Sequence, residues 1–232
     1  EKIVTMMLEK YRTNPEITEV EIRETLTDIQ ELIQHGQLFT EDEYKDLSID
    51  LRNRKTYVKA LCSNVAHTCN LSCDYCFASQ GKYDGDRAIM SFDVGKGAMD
   101  FLLENSGHHH NLDIDFFGGE PLMAWNVVKQ IVSYARSKEK EYHKKFRFTF
   151  TTNGMLLTEE VTEFLNEEMD NVVLSLDGRR EVHDRLRRIV NGKGTYDHIV
   201  PKFQQFIKNR GEKEYYVRGT YTHDNVDFTN GI

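Results

Sequence analysis

The chain has 232 residues, 39% of them hydrophobic and 29% charged, with a formal net charge of −8. That balance supplies a sizeable core and excludes a disordered chain, while the acidic excess excludes a general nucleic-acid binder, whose affinity rests on Lys and Arg meeting phosphates. No run reaches the roughly 18 apolar residues of a membrane span, and the first ten residues lack a signal-peptide core, so the expectation is a soluble, cytoplasmic protein with neither membrane nor nucleic-acid partners.

Residues 1–50 read as a helical, acidic region. Ile3, Val4, Met7, Leu8 and Tyr11 fall on one helical face. Thr18, with Glu21 three residues on, forms a capping box. Ile22, Leu26, Ile29, Leu32 and Ile33 then make a second apolar stripe, closed by Gly36 as C-cap. By itself this is a small helical subdomain.

From about residue 56 strands alternate with helices. A strand over 57–66 runs into a cysteine loop, and Ser91 caps a helix over 92–105. A strand over 112–117 ends in Gly118-Gly119-Glu120-Pro121, with Pro at a helix N1 position, and the next helix runs to about 140. A strand over 146–152, with Phe146, Phe148 and Phe150 alternating with polar residues, ends in Asn153-Gly154. Thr158 caps a helix to 168, and a strand over 171–176 ends in Asp177-Gly178. A further helix, with Pro201 near its start or kinking it, precedes a strand over 215–222. Repeated strand, loop and helix implies parallel strands with helices outside, as a barrel or an open sheet. Active sites of such folds lie at the C-terminal ends of the strands. The chain stops just after the last of these strands, so the expectation is a barrel truncated before its end, with further C-terminal sequence missing.

The four cysteines all lie between positions 62 and 76. Such clustering points to metal or cluster ligation rather than a disulfide scaffold. Cys69, Cys73 and Cys76 are spaced so that a short loop wraps three thiolates around a cubane and leaves the fourth iron without a protein ligand. The alternative is a zinc knuckle with His67 or Cys62 as fourth ligand, although zinc sites favour paired Cys-x-x-Cys halves. Cys62, inside a strand, reads as a small core hydrophobe. His108, His109 and His110 read as a surface loop.

Cys69-Asn-Leu-Ser-Cys73-Asp-Tyr75-Cys76, with an aromatic before the last Cys, resembles the radical S-adenosylmethionine (radical SAM) superfamily over about residues 57–232. The resemblance implies an α/β fold, a partial parallel (β/α) barrel of the radical SAM type with an N-terminal all-helical subdomain. It implies a 4Fe–4S cluster on Cys69, Cys73 and Cys76, whose open iron chelates S-adenosylmethionine (AdoMet) and cleaves it to a 5′-deoxyadenosyl radical. It would put Tyr75 against the adenine; ordinary loop packing is the other reading. Gly118, Gly119 and Glu120 look like the motif that meets the AdoMet amino group. Ser175 and Asp177 resemble ribose-contacting positions, with Asn153 in the same pocket. Arg187 matches an arginine that grips the AdoMet carboxylate, with Arg185, Arg188 and Arg218 as neighbouring rivals. No further catalytic residue is visible.

Longer stretches narrow the resemblance. Ala66–Leu71, Asp115–Leu122 and Tyr216–Thr220 resemble SPASM-type maturases of SCIFF peptides, enzymes that link a Cys sulfur to the carbon of an acceptor residue in a small, cysteine-rich ribosomal peptide. Under this resemblance residues 1–50 are part of a winged-helix-like domain that recognises a leader peptide, and 51–232 are the radical SAM core. Auxiliary 4Fe–4S clusters belong to a C-terminal part that this chain lacks. The partners are a precursor peptide with its leader and an electron donor such as flavodoxin or ferredoxin. An anaerobic sulfatase-maturating enzyme that forms formylglycine is the alternative, and a non-catalytic zinc-binding peptide module a more distant one.

Overall fold

The computed structural model describes residues 1–15, 17–44 and 56–226. It divides into two units, Glu1–Thr56 and Tyr57–Ile232. The boundary expected at 50/51 lies outside the described residues. Among the described residues no helix is long and apolar enough to cross a membrane.

The first unit contains α1 (Lys2–Lys10) and α2 (Glu19–Gln34). The capping box is formed as expected: Thr18 Oγ1 accepts from Glu21 N at 3.3 Å, and Glu21 Oε2 accepts from Thr18 N at 2.9 Å. At the other end Gly36, at φ +66°, donates to Ile33 O while Gln37 N donates to Leu32 O. Those two bonds satisfy terminal carbonyls in a Schellman motif, which needs a left-handed residue at this position. The apolar stripes are only partly buried. Val4 and Ile22 are buried, whereas Ile3, Leu32 and Ile33 are exposed.

The second unit is built on a sheet of order β3-β1-β4-β5-β6-β8. Its strands are β1 (Ala60–His67), β3 (Ala88–Ile89), β4 (Asn111–Gly118), β5 (Lys145–Thr152), β6 (Asn171–Ser175) and β8 (Glu214–Arg218). β1, β4, β5, β6 and β8 pair parallel, while the short β3 pairs antiparallel on the edge. The helices are α3 (Phe92–Asn105), α4 (Trp125–Tyr142), α5 (Glu159–Glu168), α6 (Arg180–Leu186) and α7 (Tyr196–Arg210). Alternation decides which side each strand residue takes. Leu112, Ile114 and Phe116, Phe146, Phe148 and Phe150, and Val172 and Leu174 are buried in one core with Met99, Leu102, Val128, Ile131, Leu165 and Phe206 from the helices. Register brings Ile114 beside Phe148 and Phe116 beside Phe150, and the rings of Phe146 and Phe148 stack at 6.0 Å.

Ser91 and Thr158 cap α3 and α5 as their sequence implies. Pro121 opens a 3-10 turn, Pro121–Ala124, before α4 begins. Pro201 lies inside α7 on its exposed side, several residues past the first turn. Cys62 corrects an expectation: it is exposed and not core. It sits beside Asp115 across β1 and β4, on the face turned away from the helices, while Ser63 and Val65 take the buried side. Two further short strands, β2 (Leu71–Cys73) and β7 (Arg187–Ile189), form their own antiparallel ribbon.

Arg218 on β8 lies three strands from β4, and its side chain reaches across that face to set the guanidinium 5.9 Å from the Phe117 ring.

Candidate AdoMet and cluster site

The C-terminal ends of β1, β4, β5 and β6 meet at one open cavity of about 170 Å³. Its walls include Cys69, Cys73, Tyr75 and Cys76, Gly118, Gly119 and Glu120, Asn153, Ser175 and Arg187. Of the residues that the resemblance assigned to the cluster and AdoMet, Asp177 alone is not part of the cavity wall.

The two glycines are set by backbone crowding. Gly118 has φ +130°, and a Cβ on it would lie 2.5 Å from Ala66 O; one on Gly119 would lie 2.1 Å from Thr68 O. Without side chains here, Gly119 N donates to Ala66 O and Glu120 N to Thr68 O, at 2.8 and 2.9 Å. The cysteine loop is thereby stitched to the end of β4.

Cys69 Sγ accepts from Leu71 N at 3.4 Å, and Cys76 Sγ from Gln80 N at 3.3 Å. Cys73 lies in β2, paired with Arg187. Burial pushes the Cys69 thiol up to about 12, and raises Cys73 as well, against the opposing charge of Arg187. Thiols so placed become thiolates only against strong positive charge, which a metal cluster supplies. Among the described residues no three His, Cys, Asp or Glu side chains converge on a single-ion site. The donor set of Cys69, Cys73 and Cys76, three thiols on one short loop, fits a three-thiolate 4Fe–4S cluster.

Glu120 is buried, and both of its carboxylate oxygens accept hydrogen bonds. Oε1 accepts from Thr152 Oγ1 at 2.8 Å and Leu122 N at 3.1 Å, and Oε2 accepts from Asn153 N at 2.8 Å. Burial raises its pKa, opposed by these bonds. Glu120 therefore ties the ends of β4 and β5 while lining the cavity. Asn153 Nδ2 donates to Asn70 Oδ1 at 2.7 Å and approaches Cys69 Sγ.

On the opposite wall Tyr75 Oη donates to Asp177 Oδ2 at 2.5 Å and accepts from Arg187 Nη1 at 2.7 Å. Asp177 Oδ1 accepts from Thr220 N. Arg187 is buried, and its Nε has no hydrogen-bond partner among the described residues. A buried, uncommitted guanidinium N–H is costly unless a ligand meets it, and a carboxylate is its natural partner. Behind this wall His183 Nδ1 accepts from Asp177 N, and its Nε2 meets Thr195 Oγ1, which donates to Arg187 O. Sequence reasoning did not single out Thr152, Thr220, His183 or Phe117. Thr152 alone had a local signal, beside Asn153 at a strand end.

The radical SAM superfamily model matches residues 63–222, more than half of the chain, and the chain belongs to that superfamily. It is 26% identical over 166 residues to the radical SAM cyclopropyl synthase TigE of Paramaledivibacter caminithermalis, covering 66% of this chain and 34% of that protein. It is 29% identical over 157 residues to the cysteine-type anaerobic sulfatase-maturating enzyme of Clostridium novyi, covering 65% of this chain and 40% of that one. Among solved structures, native anSMEcpe with bound AdoMet and the Cp18Cys peptide superposes with a TM-score of 0.65 at 25% identity, over 76% of this chain and 46% of that one. The fold is thus the partial barrel of these enzymes. The chain spans less than half the length of these relatives.

Proposed function

We propose that this chain is the AdoMet-cleaving part of a peptide maturase that forms thioether links, from Cys sulfur to an acceptor carbon, in a cysteine-rich SCIFF-type peptide. The observation that carries the AdoMet assignment is Arg187, whose buried Nε has no partner among the described residues, beside a cavity walled by Cys69, Cys73 and Cys76. When bound, the cluster and AdoMet supply a 5′-deoxyadenosyl radical, which takes a hydrogen atom from carbon.

The chain's own residues divide the remaining work. Cys69, Cys73 and Cys76 hold the cluster. Arg187 takes the AdoMet carboxylate, and Glu120 with the Gly118-Gly119 backbone meets the amino group. Ser175 and Asn153 face the ribose, and Asp177, held behind Tyr75, orients that ring for the adenine. Residues 1–50 serve leader recognition, and a flavodoxin or ferredoxin supplies electrons in the cytoplasm.

The thioether reading is supported by the stretches Ala66–Leu71, Asp115–Leu122 and Tyr216–Thr220, which resemble those of SCIFF maturases. Relatives named as sulfatase-maturating enzymes favour formylglycine formation as a second reading.

The test is anaerobic reconstitution of the full-length gene product with AdoMet and dithionite. 5′-Deoxyadenosine forms, and it is lost when Cys69, Cys73 or Cys76 is replaced by Ala. Cleavage retained in two such variants sinks the assignment. Mass spectrometry of a leader-bearing cysteine-rich peptide then separates the readings: the thioether reading expects loss of two hydrogens and no free thiol at the linked Cys, and formylglycine in its place favours the second.

A further inference from the structure

The face of the sheet turned away from the helices carries polar groups that the AdoMet site does not use. Parallel pairing sets Cys62, Asp115, Thr149, Asn171 and Glu214 side by side on β1, β4, β5, β6 and β8. Asn64 and Phe117, paired to each other, lie one step nearer the cavity. Asp115 Oδ1, Asn171 Oδ1 and Asn64 Oδ1 are all shielded from solvent, and none has a hydrogen-bond partner among the described residues. More than nine in ten buried polar groups are normally paired, so three unmet acceptors on one face mark a place built for N–H donors. Burial raises the Asp115 carboxyl, with Arg218 opposing. Arg218 reaches back over Phe117 and stands at the rim of the cavity. Its guanidinium makes no hydrogen bond or ion pair with a described residue.

Acceptors on the strands and a planar cationic donor at the cavity rim offer partners of both kinds to a peptide unit. The geometry points to Asp115 and Arg218 as the groups that hold the peptide backbone of the residue to be modified. Its N–H is donated to Asp115, and its carbonyl accepts from Arg218. Asn64 and Asn171 take neighbouring N–H groups. This rests on the peptide-maturase reading and adds to it the site that presents the substrate to the AdoMet cavity.

Cys62 is a built-in reporter, because it is exposed, lies beside Asp115 and is separate from the cysteine triad. The full-length protein, with its cluster reconstituted and AdoMet present, is treated anaerobically with N-ethylmaleimide. Modification of Cys62 is followed by mass mapping with and without each of two peptides. One is the Cp18Cys peptide; the other is the leader-bearing cysteine-rich peptide of the thioether reading. At least one of them slows alkylation of Cys62 by about tenfold. Asp115→Ala and Arg218→Met, with visible cluster absorption retained, reduce that protection to about twofold or less, as loss of a charged hydrogen bond requires. Should Arg218→Met lose its cluster, Arg218→Gln is measured in its place. Absence of protection by either peptide overturns the proposal, as does undiminished protection in both variants. Conversion of the peptides is scored separately. Protection without conversion removes the maturase reading and leaves the site, and conversion without protection removes the site and leaves the reading.

Discussion

At the scale of single residues, Arg187 is the group on which the AdoMet assignment turns. Its Nη1 is committed to Tyr75, and its Nε to no described residue. Arg187→Lys keeps the charge and loses the planar fork, so AdoMet binding to the reconstituted protein weakens by about tenfold or more. Equilibrium dialysis with labelled AdoMet measures this, and an unchanged affinity removes Arg187 from the site. Gly119→Ala is predicted to fail differently. The new Cβ meets the backbone oxygen of Thr68 at 2.1 Å, an atom that cannot swing aside, so the cysteine loop detaches from β4. Iron content per chain falls, while the helical signal in circular dichroism persists.

The cysteine triad and the Gly-Gly-Glu turn were legible in the sequence because their chemistry is local. The bond from Tyr75 to Asp177 spans 102 positions, and nothing near either residue announces it. Cys62 was misread for a related reason. Which face of a strand a residue takes depends on where the helices pack, and Asp115, its neighbour across the sheet, is distant in sequence.

Among elements, the caps carried most of the readable signal. Ser91, Thr158 and Thr18 open helices where their side chains accept backbone N–H groups. β2, β3 and β7 escaped notice because two or three residues are too few to show a period. β5 is the centre of the core, and Phe148→Ala on it removes a fully buried ring stacked between Phe146 and Phe116. The expected loss is about 3–5 kcal/mol of unfolding free energy, read from urea denaturation of the apo protein.

The segment α6–β7 has its own pH dependence. Burial first, then Arg187, lowers His183 to about 4, against Asp177 and Asp184. Protonation would also set Nδ1–H against Asp177 N–H, which now donates to it. A folded pKa below the unfolded value means that the unfolded chain holds more protons in between. The stabilisation is therefore complete above about pH 6.5 and is lost as pH falls toward 4, by up to about 3 kcal/mol. Urea midpoints at pH 7.5 and pH 5 should diverge in the natural protein and converge in His183→Gln; equal slopes in both refute the role of His183.

For the molecule as a whole, alternating strands and helices implied parallel strands. They did not give the order of the sheet, which follows from packing between segments far apart in sequence. Ligands that bind only the folded state add to its stability. Loading the cluster should therefore raise the thermal midpoint by several degrees, and AdoMet should raise it further. Calorimetry under nitrogen of apo, cluster-loaded and AdoMet-bound protein measures both increments, and coincident curves contradict a shared site.

The ribbon joining Cys73 to Arg187 has a bearing on synthesis. While the ribosome is still making the chain, the cysteine loop emerges long before the strand that clasps it. At roughly 5–20 residues per second, the intervening stretch takes on the order of 6–20 s to translate. Through that interval the loop is held by β1 and, once Gly119 and Glu120 are made, by the end of β4, while the β2–β7 clasp is still missing. The clasp that closes over the cysteine loop is therefore completed only in the finished core, whatever holds the loop before then.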